Sequence, residues 1–330
     1  MHYFNTQKNK LICLLCGHYC ELKEGQKGLC GVNQNYDNTI KNLVYGYPSA
    51  LHVDPIEKKP LYHFLPASKV FSLGTIGCNF KCSFCQNWSL SQEKSLQDGE
   101  YFSPERIVSL ALQNECRSIA YTYNEPTIFY PYAKDIALLA HAKGLKNIFV
   151  TNGFESTEVI DDMAGLIDAV NVDLKSFNPY YYQKVLGGNL ELILENLKHF
   201  KRNGIWIEVT TLIVPTQNDS DEELGSIATF IAQVLGSSTP WHISAFHPAF
   251  KEMSLPRTPI ETLQKAYTIA KKAGLHYVYI GNTHIENDTS CAACNAVLLQ
   301  RSHFEVLSNN LHKGCCPKCQ TKLEGVFDAH

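Results

Sequence analysis

The stretch Thr75–Asn87, TIGCNFKCSFCQN, follows the apolar run Val70–Leu73 and carries Cys78, Cys82 and Cys85. The apolar run reads as a buried strand, so the cysteines fall on the loop leaving it. The spacing is C-x3-C-x2-C, and each thiolate can hold one iron of a cubic [4Fe–4S] cluster. A cube has four irons, so three thiolates leave one corner without a local protein ligand. That corner is where a small molecule can bind and be activated. A structural zinc ion would ask for a fourth ligand. Gly77, beside the first cysteine, lets backbone approach the irons closely.

Outward from this loop, the other cysteines are grouped too. The chain has 330 residues and 13 cysteines. They form the sets Cys13/Cys16/Cys20/Cys30, Cys78/Cys82/Cys85 and Cys291/Cys294/Cys315/Cys316/Cys319, leaving Cys116 alone as a small buried apolar residue. Tight C-x2-C pairs in a chain of this size read as metal sites rather than disulfides, which favours a reducing, cytoplasmic setting. The N-terminal four suffice for structural zinc or for a further Fe–S cluster, with His18 as a substitute ligand. Their spacing does not choose between the two, and a structural metal is the simpler reading. Cys291, Cys294, Cys316 and Cys319 form two knuckles at zinc-ribbon spacing, with Cys315 as the alternative to Cys316. Val297–Leu299 and Phe304–Leu307 supply ribbon strands, and zinc would stabilise a tail too short to bury its own core.

The formal net charge is −3 and no long block of like charges occurs. Nothing in this balance draws the chain to nucleic acid or to an acidic membrane. The apolar segment Leu11–Leu15 is too short for a signal peptide or a membrane span.

Three regions are expected: a Cys-rich module over 1–66, an α/β core over 67–285 and a zinc-ribbon-like tail over 286–330. Within the core, β-rich runs occur at Val70–Leu73, Ser118–Tyr123, Asn147–Thr151, Ala169–Val172, Trp206–Val214, Trp241–Ala245 and Tyr277–Ile280. Helical patterns separate them at Pro104–Gln113, Ile128–Ala142, Leu190–Arg202, Asp221–Leu235 and Ile260–Ala273. Ser103 and Ser220 are N-cap candidates, and Gly144, Gly204 and Gly274 stand where helices stop. Such alternation demands a parallel sheet with helical crossovers, though periodicity does not separate a barrel from a doubly wound sheet. Ahead of the core, Ile40–Tyr45 reads as β-like. Pro55 and Pro60 make Asp54–Phe64 (DPIEKKPLYHF) an ordered loop or a strap across one end of the core.

The loop C-x3-C-x-Phe84-C resembles the signature of the radical S-adenosylmethionine (SAM) superfamily. That resemblance implies a partial (β/α)6 TIM-like barrel, with Tyr277–Ile280 as an added strand. It also implies a reduced [4Fe–4S] cluster on Cys78, Cys82 and Cys85 that cleaves SAM to a 5'-deoxyadenosyl radical for hydrogen abstraction. In a parallel barrel the site lies at the C-terminal strand ends, and each end carries polar residues. Asn124-Glu125-Pro126 takes the place of the Gly-Gly-Glu-Pro-like motif that holds the SAM amino group, without its glycines. Thr151-Asn152-Gly153 is similar to the third-strand motif of glycyl-radical-enzyme activases, which lies against the SAM carboxylate. Asp173-Leu174-Lys175 resembles the activase fourth-strand pattern for ribose and carboxylate. Spacing by two sets Asp173 and Lys175 on one face of an extended chain. His247, after the sixth strand, resembles a ribose-contacting histidine, and Val214 could meet adenine. Over nearly the whole chain, C-x2-C-G-H-x2-C, YG, DPIEKKPLYHF, GTIGCNFKCSFCQN and DLK together are similar to the AmmeMemoRadiSam-system radical SAM enzymes. These are relatives of the pyruvate formate-lyase activating enzymes.

The resemblance implies a radical SAM oxidoreductase of the activase type. SAM, a reducing donor such as flavodoxin or ferredoxin, and a protein substrate would be its partners. A radical SAM modifier of RNA or a peptide shares the chemistry and differs in substrate. A non-catalytic multi-zinc scaffold belongs to another class, and iron content distinguishes it.

Overall fold

The computed structural model describes residues 3–7, 10–95 and 99–327. In chain order the strands are β1 (Phe4–Gln7), β2 (Lys10–Cys13), β3 (Glu21–Leu22), β4 (Asn33–Tyr36), β5 (Thr39–Asn42), β6 (Ala50–Pro55), β7 (Lys69–Gly74), β8 (Ser118–Tyr121), β9 (Lys146–Thr151), β10 (Ala169–Asp173), β11 (Trp206–Ile213), β12 (Trp241–Ala245), β13 (Val278–Gly281), β14 (Thr289–Ser290), β15 (Val297–Ser302) and β16 (Glu305–Asn309). The helices are α1 (Trp88–Ser91), α2 (Pro104–Gln113), α3 (Tyr130–Ala142), α4 (Thr157–Met163), α5 (Pro179–Tyr181), α6 (Leu190–Arg202), α7 (Asp221–Phe230) and α8 (Ile260–Lys272).

β7 through β13 lie side by side in sequence order and run parallel. An unbroken sequential order with right-handed crossovers puts every helix on one face, so the sheet curls into part of a barrel rather than winding both ways. The expected partial barrel is therefore the fold, with β13 as the added strand. Strand interiors are apolar because both faces are covered: Ile119, Ile148, Val170, Val209 and Ile243 are buried, as expected for parallel strands. The helices begin where capping chemistry places them. Ser103 accepts from Arg106 N at α2 and Ser220 from Glu223 N at α7. α7 continues as a π-turn over Ile231–Gly236, and α3 is preceded by a 3-10 turn over Pro126–Phe129.

The structure adds elements to the sequence reading, β6 and α4 among them. β6 pairs antiparallel with β7 from Ala50–Gly74 to Pro55–Lys69, so the main sheet takes in a strand from the 1–66 region. Asp54–Pro55 thus end a strand, and the strap proper begins at the 3-10 turn Ile56–Lys58. α4 was not anticipated, because its seven residues, TEVIDDM, are too few to establish a period.

The strap closes the N-terminal end of the barrel. Ile56, Leu61, Phe64 and Leu65 pack with Val70, Ala120, Ile148 and Ala169 at the strand starts. Inward-facing polar residues hold its backbone: Asn171 Nδ2 donates to Pro60 O (2.7 Å), and Glu208 accepts from Tyr62 N (3.0 Å) and His63 N (2.8 Å). The next inward residue on each strand, two positions on, faces the opposite end. Those residues are Asp173 and Thr210, and with Ser244 of β12 they line a cavity there.

The tail forms the antiparallel sheet β14-β15-β16 and docks beneath the barrel. Tyr62, Tyr277 and Tyr279 pack against Leu298, Leu299 and Leu323, and buried Arg301 donates to Tyr62 O (2.8 Å).

Candidate active site

The cavity at the C-terminal strand ends measures ≈ 260 Å³, near the lower bound of roughly 300 Å³ typical of small-molecule sites. Cys78, Cys82 and Cys85 line it together with Glu125, Asp173 and Lys175. The cysteine loop is held from both sides. Gly77 has φ +87°, and a Cβ there would sit 2.7 Å from the Cys30 carbonyl oxygen, so the position requires glycine. Asn124 Nδ2 donates to Gly77 O (2.9 Å) and Thr75 Oγ1 (3.0 Å), while its Oδ1 accepts from Thr75 N (3.2 Å). On the far side, Lys251 N donates to Ser83 O (3.0 Å).

These thiols fit an iron–sulfur cluster. Polar groups already reach two of the sulfurs: Phe80 N donates to Cys78 Sγ (3.4 Å), and the Ser91 hydroxyl lies 3.2 Å from Cys85 Sγ. Burial pushes the Cys78 thiol well up and the Cys82 thiol to about 11, with the Lys175 charge opposing the rise at Cys82. Without metal these groups are protonated, so loading iron releases protons.

Glu125 projects from the turn after β8 and is buried. Its Oε2 accepts from Asn152 N (2.8 Å), and its Oε1 from Thr127 N (3.1 Å), Thr127 Oγ1 (2.7 Å) and Thr151 Oγ1 (2.9 Å). Burial raises its pKa despite these donors. Asn152 Nδ2 in turn donates to Asn79 Oδ1 (2.7 Å), inside the cysteine loop. Lys175 Nζ stands 2.8 Å from Asp173 Oδ2. Burial opposes its charge, but the Asp173 carboxylate beside it holds the ammonium well above its usual range. The site therefore offers three thiols, a buried carboxylate and a carboxylate–ammonium pair around one cavity.

The structure moves three of the expected contacts. Asn124 lines the cavity, but its amide is spent on the Thr75–Gly77 backbone, so it shapes the loop. His247 is exposed and lies outside the cavity lining; Ser244 lines it instead. β12 ends at Ala245, so His247 lies on the loop beyond the strand, while Ser244 is still within it. Val214 is fully buried in the core, and Thr210 and Leu212 supply the β11 lining. The sequence reading missed Glu155, Ser244 and Asn282. Glu155 lies four residues past Thr151, and its signal is a carboxylate flanked by the buried Phe154 and Ser156.

At the tail, the Sγ atoms of Cys291, Cys294, Cys316 and Cys319 all lie within 4.8 Å of one another, with Cys291–Cys319 at 3.5 Å and Cys294–Cys316 at 3.6 Å. Thiolates about 2.3 Å from one tetrahedral zinc stand about 3.8 Å apart, so this set suits a single ion. Cys316, not Cys315, completes it. His18, the substitute ligand considered for the N-terminal cysteines, instead places Nε2 2.9 Å from Asn79 O. Among the described residues no helix is long and apolar enough to cross a membrane.

A sequence model of the radical SAM superfamily matches residues 73–231, from the end of β7 into the π-turn after α7. Uncharacterized protein MJ0808 of Methanocaldococcus jannaschii is 40% identical over 332 residues, covering 99% of each chain. The benzylsuccinate synthase activating enzyme of Thauera aromatica is 24% identical over 156 residues, 45% of this chain and 47% of its own. A radical SAM methyltransferase from Sphaerobacter thermophilus shares the fold at a TM-score of 0.52, with 15% identity over 66% of this chain and 67% of its own. The chain belongs to the radical SAM superfamily, whose general chemistry is cleavage of SAM at an iron–sulfur cluster, and activating enzymes are among its relatives.

Proposed function

We propose that this protein is a radical SAM oxidoreductase of the activating-enzyme type. The observation that carries the reading is the one cavity that Cys78, Cys82 and Cys85 line together with Glu125, Asp173 and Lys175. The cluster, when bound, supplies the electron that cleaves the sulfonium bond and yields a 5'-deoxyadenosyl radical. The chain's own residues hold the nucleoside. Glu125, fixed by Thr127, Thr151 and Asn152, offers its Oε2 side to the amino group. Lys175 pairs with the SAM carboxylate, and Asp173 accepts from ribose hydroxyls. The strap seals the floor, so the substrate enters at the strand ends, where Trp88 stacks on Phe250 beside the cysteine loop. The target of hydrogen abstraction is a C–H bond presented there, with a glycine Cα of a partner protein as the activase-like case. A low-potential donor such as flavodoxin or ferredoxin supplies electrons. At the tail, Cys291, Cys294, Cys316 and Cys319 hold zinc.

Anaerobically reconstituted protein, given SAM and a strong reductant, is expected to form 5'-deoxyadenosine. Cys82→Ala is expected to form none. Iron-loaded wild-type protein that leaves SAM intact would overturn the reading.

A further inference from the structure

We propose that Cys13, Cys16, Cys20 and Cys30 bind a second iron–sulfur cluster that relays electrons to the cluster at Cys78, Cys82 and Cys85. The relay role rests on the proposed function; the metal assignment does not.

The four thiols form one group. Cys13, Cys16 and Cys30 are buried and Cys20 half-buried, and each lies close enough to the other three for their charges to interact. Their spread separates them from the tail site. A single ion draws its ligand atoms into a tight tetrahedron, as at Cys291, Cys294, Cys316 and Cys319. Among the described residues, that tail set is the group whose ligand atoms converge within 4.8 Å. No three of the N-terminal thiols converge so closely. A cube seats each thiolate on its own iron and so takes a wider set of sulfurs than one ion does. Asn33 Nδ2 lies 3.5 Å from Cys30 Sγ, a donor aimed at sulfur of the kind that tunes cluster potentials.

The N-terminal cysteines also lie against the cysteine loop. The Cys30 carbonyl abuts Gly77, the residue before Cys78, so closely that a Cβ would be 2.7 Å away. His18, between Cys16 and Cys20, bonds to Asn79 O on the other side of Cys78 (2.9 Å). Both flanks of Cys78 thus touch the N-terminal cysteine module directly. In the relay, a low-potential one-electron donor of the iron–sulfur or flavin class reduces the N-terminal cluster by one electron. The same electron then passes to the cluster at Cys78, and the N-terminal cluster returns to its oxidised state.

Metal content of the anaerobically purified full chain tests the assignment. About eight irons and about one zinc per chain are expected if two cubes and one ribbon ion are present. About four irons with about two zincs would overturn it, as would an iron count near four without extra zinc. The variant Cys78→Ala/Cys82→Ala/Cys85→Ala is expected to keep about four irons and visible thiolate-to-iron absorption; a colourless, zinc-only variant would overturn the proposal. Reduced wild-type protein should show electron paramagnetic resonance signals broadened by spin coupling between neighbouring clusters, and two independent unbroadened signals would reject the relay. If both clusters load but SAM stays intact, the proposed function fails and the second cluster stands.

Discussion

Glu125 and Glu155 bond to the same two hydroxyls. Thr151 Oγ1 lies 2.9 Å from Glu125 Oε1 and 2.6 Å from Glu155 Oε1, and Thr127 Oγ1 lies 2.7 Å and 3.1 Å from the same atoms. Both carboxylates are buried, and Glu155 Oε2 has no partner. Two full charges bridged so closely repel, so one proton stays with the pair. Burial, reinforced by the Glu125 charge, pushes Glu155 up to about 8. The pair anchors the turns after β8 and β9 from within.

This pairing fixes a pH dependence. The folded Glu155 keeps a proton that the unfolded chain has lost above about 4.5, so the stability the proton confers is full below that pH and falls as pH rises toward about 8. The slope is at most about 1.4 kcal/mol per pH unit for one proton. Glu155→Gln removes the titrating group and keeps a neutral side chain of similar shape. Denaturant titrations of metal-free protein at several pH values should show a flatter profile for the variant between about 4.5 and 8. Parallel profiles would place the proton elsewhere.

Gly77→Ala should impair metal loading without touching a ligand. The substitution forces a side chain into a left-handed backbone (φ +87°) and against the Cys30 carbonyl. The strain is about 1–3 kcal/mol, and the loop can relieve it only by moving. Iron content after reconstitution should fall well below wild type while far-ultraviolet dichroism is retained. A fully loaded variant would show that the close approach is dispensable.

Lys175→Ala should weaken SAM binding by roughly tenfold or more, the loss of about 1.4 kcal/mol or more from one ionic contact. Asp173 would also lose its partner at 2.8 Å. Binding to iron-loaded protein by calorimetry reads this directly. Unchanged affinity would remove Lys175 from the SAM contacts.

Chelating the tail ion should lower thermal stability and leave the cysteine loop intact. The tail covers Tyr62 and Tyr279, and Arg301 braces the strap, so its loss exposes the barrel floor. Cys294→Ser should lose one zinc and reduce Tm by several degrees, because a metal-held module folds with its ion. An unchanged Tm would show that the ribbon folds without metal.

Much of this was legible in the sequence because the signals were local. Trp241–Ala245, Pro104–Gln113 and Leu190–Arg202 occupy the ranges their patterns predict, since apolar period and capping residues settle such elements within a few residues. The three thiols, Glu125, Asp173 and Lys175 share a cavity because each sits at a strand end, which spacing along the chain already marks. What was hidden depended on contacts distant in sequence. Ala50–Pro55 becomes a strand only by pairing with Lys69–Gly74, and its Pro55 argued against that. His247 misses the cavity because it lies two residues past the end of β12, where the course of the loop and not strand alternation sets its direction. Asn124 looked like a ligand contact, yet the loop's own backbone claims its amide.

The central claim is that Cys78, Cys82 and Cys85 hold a cluster with one iron open to SAM. The most direct measurement is pulsed paramagnetic resonance of the reduced protein with SAM labelled by nitrogen-15 at its amino group. A nitrogen hyperfine coupling that requires Cys82 is the predicted result, because the amino group must then sit on the open iron. A reduced, fully iron-loaded protein that binds SAM without any such coupling would contradict the account.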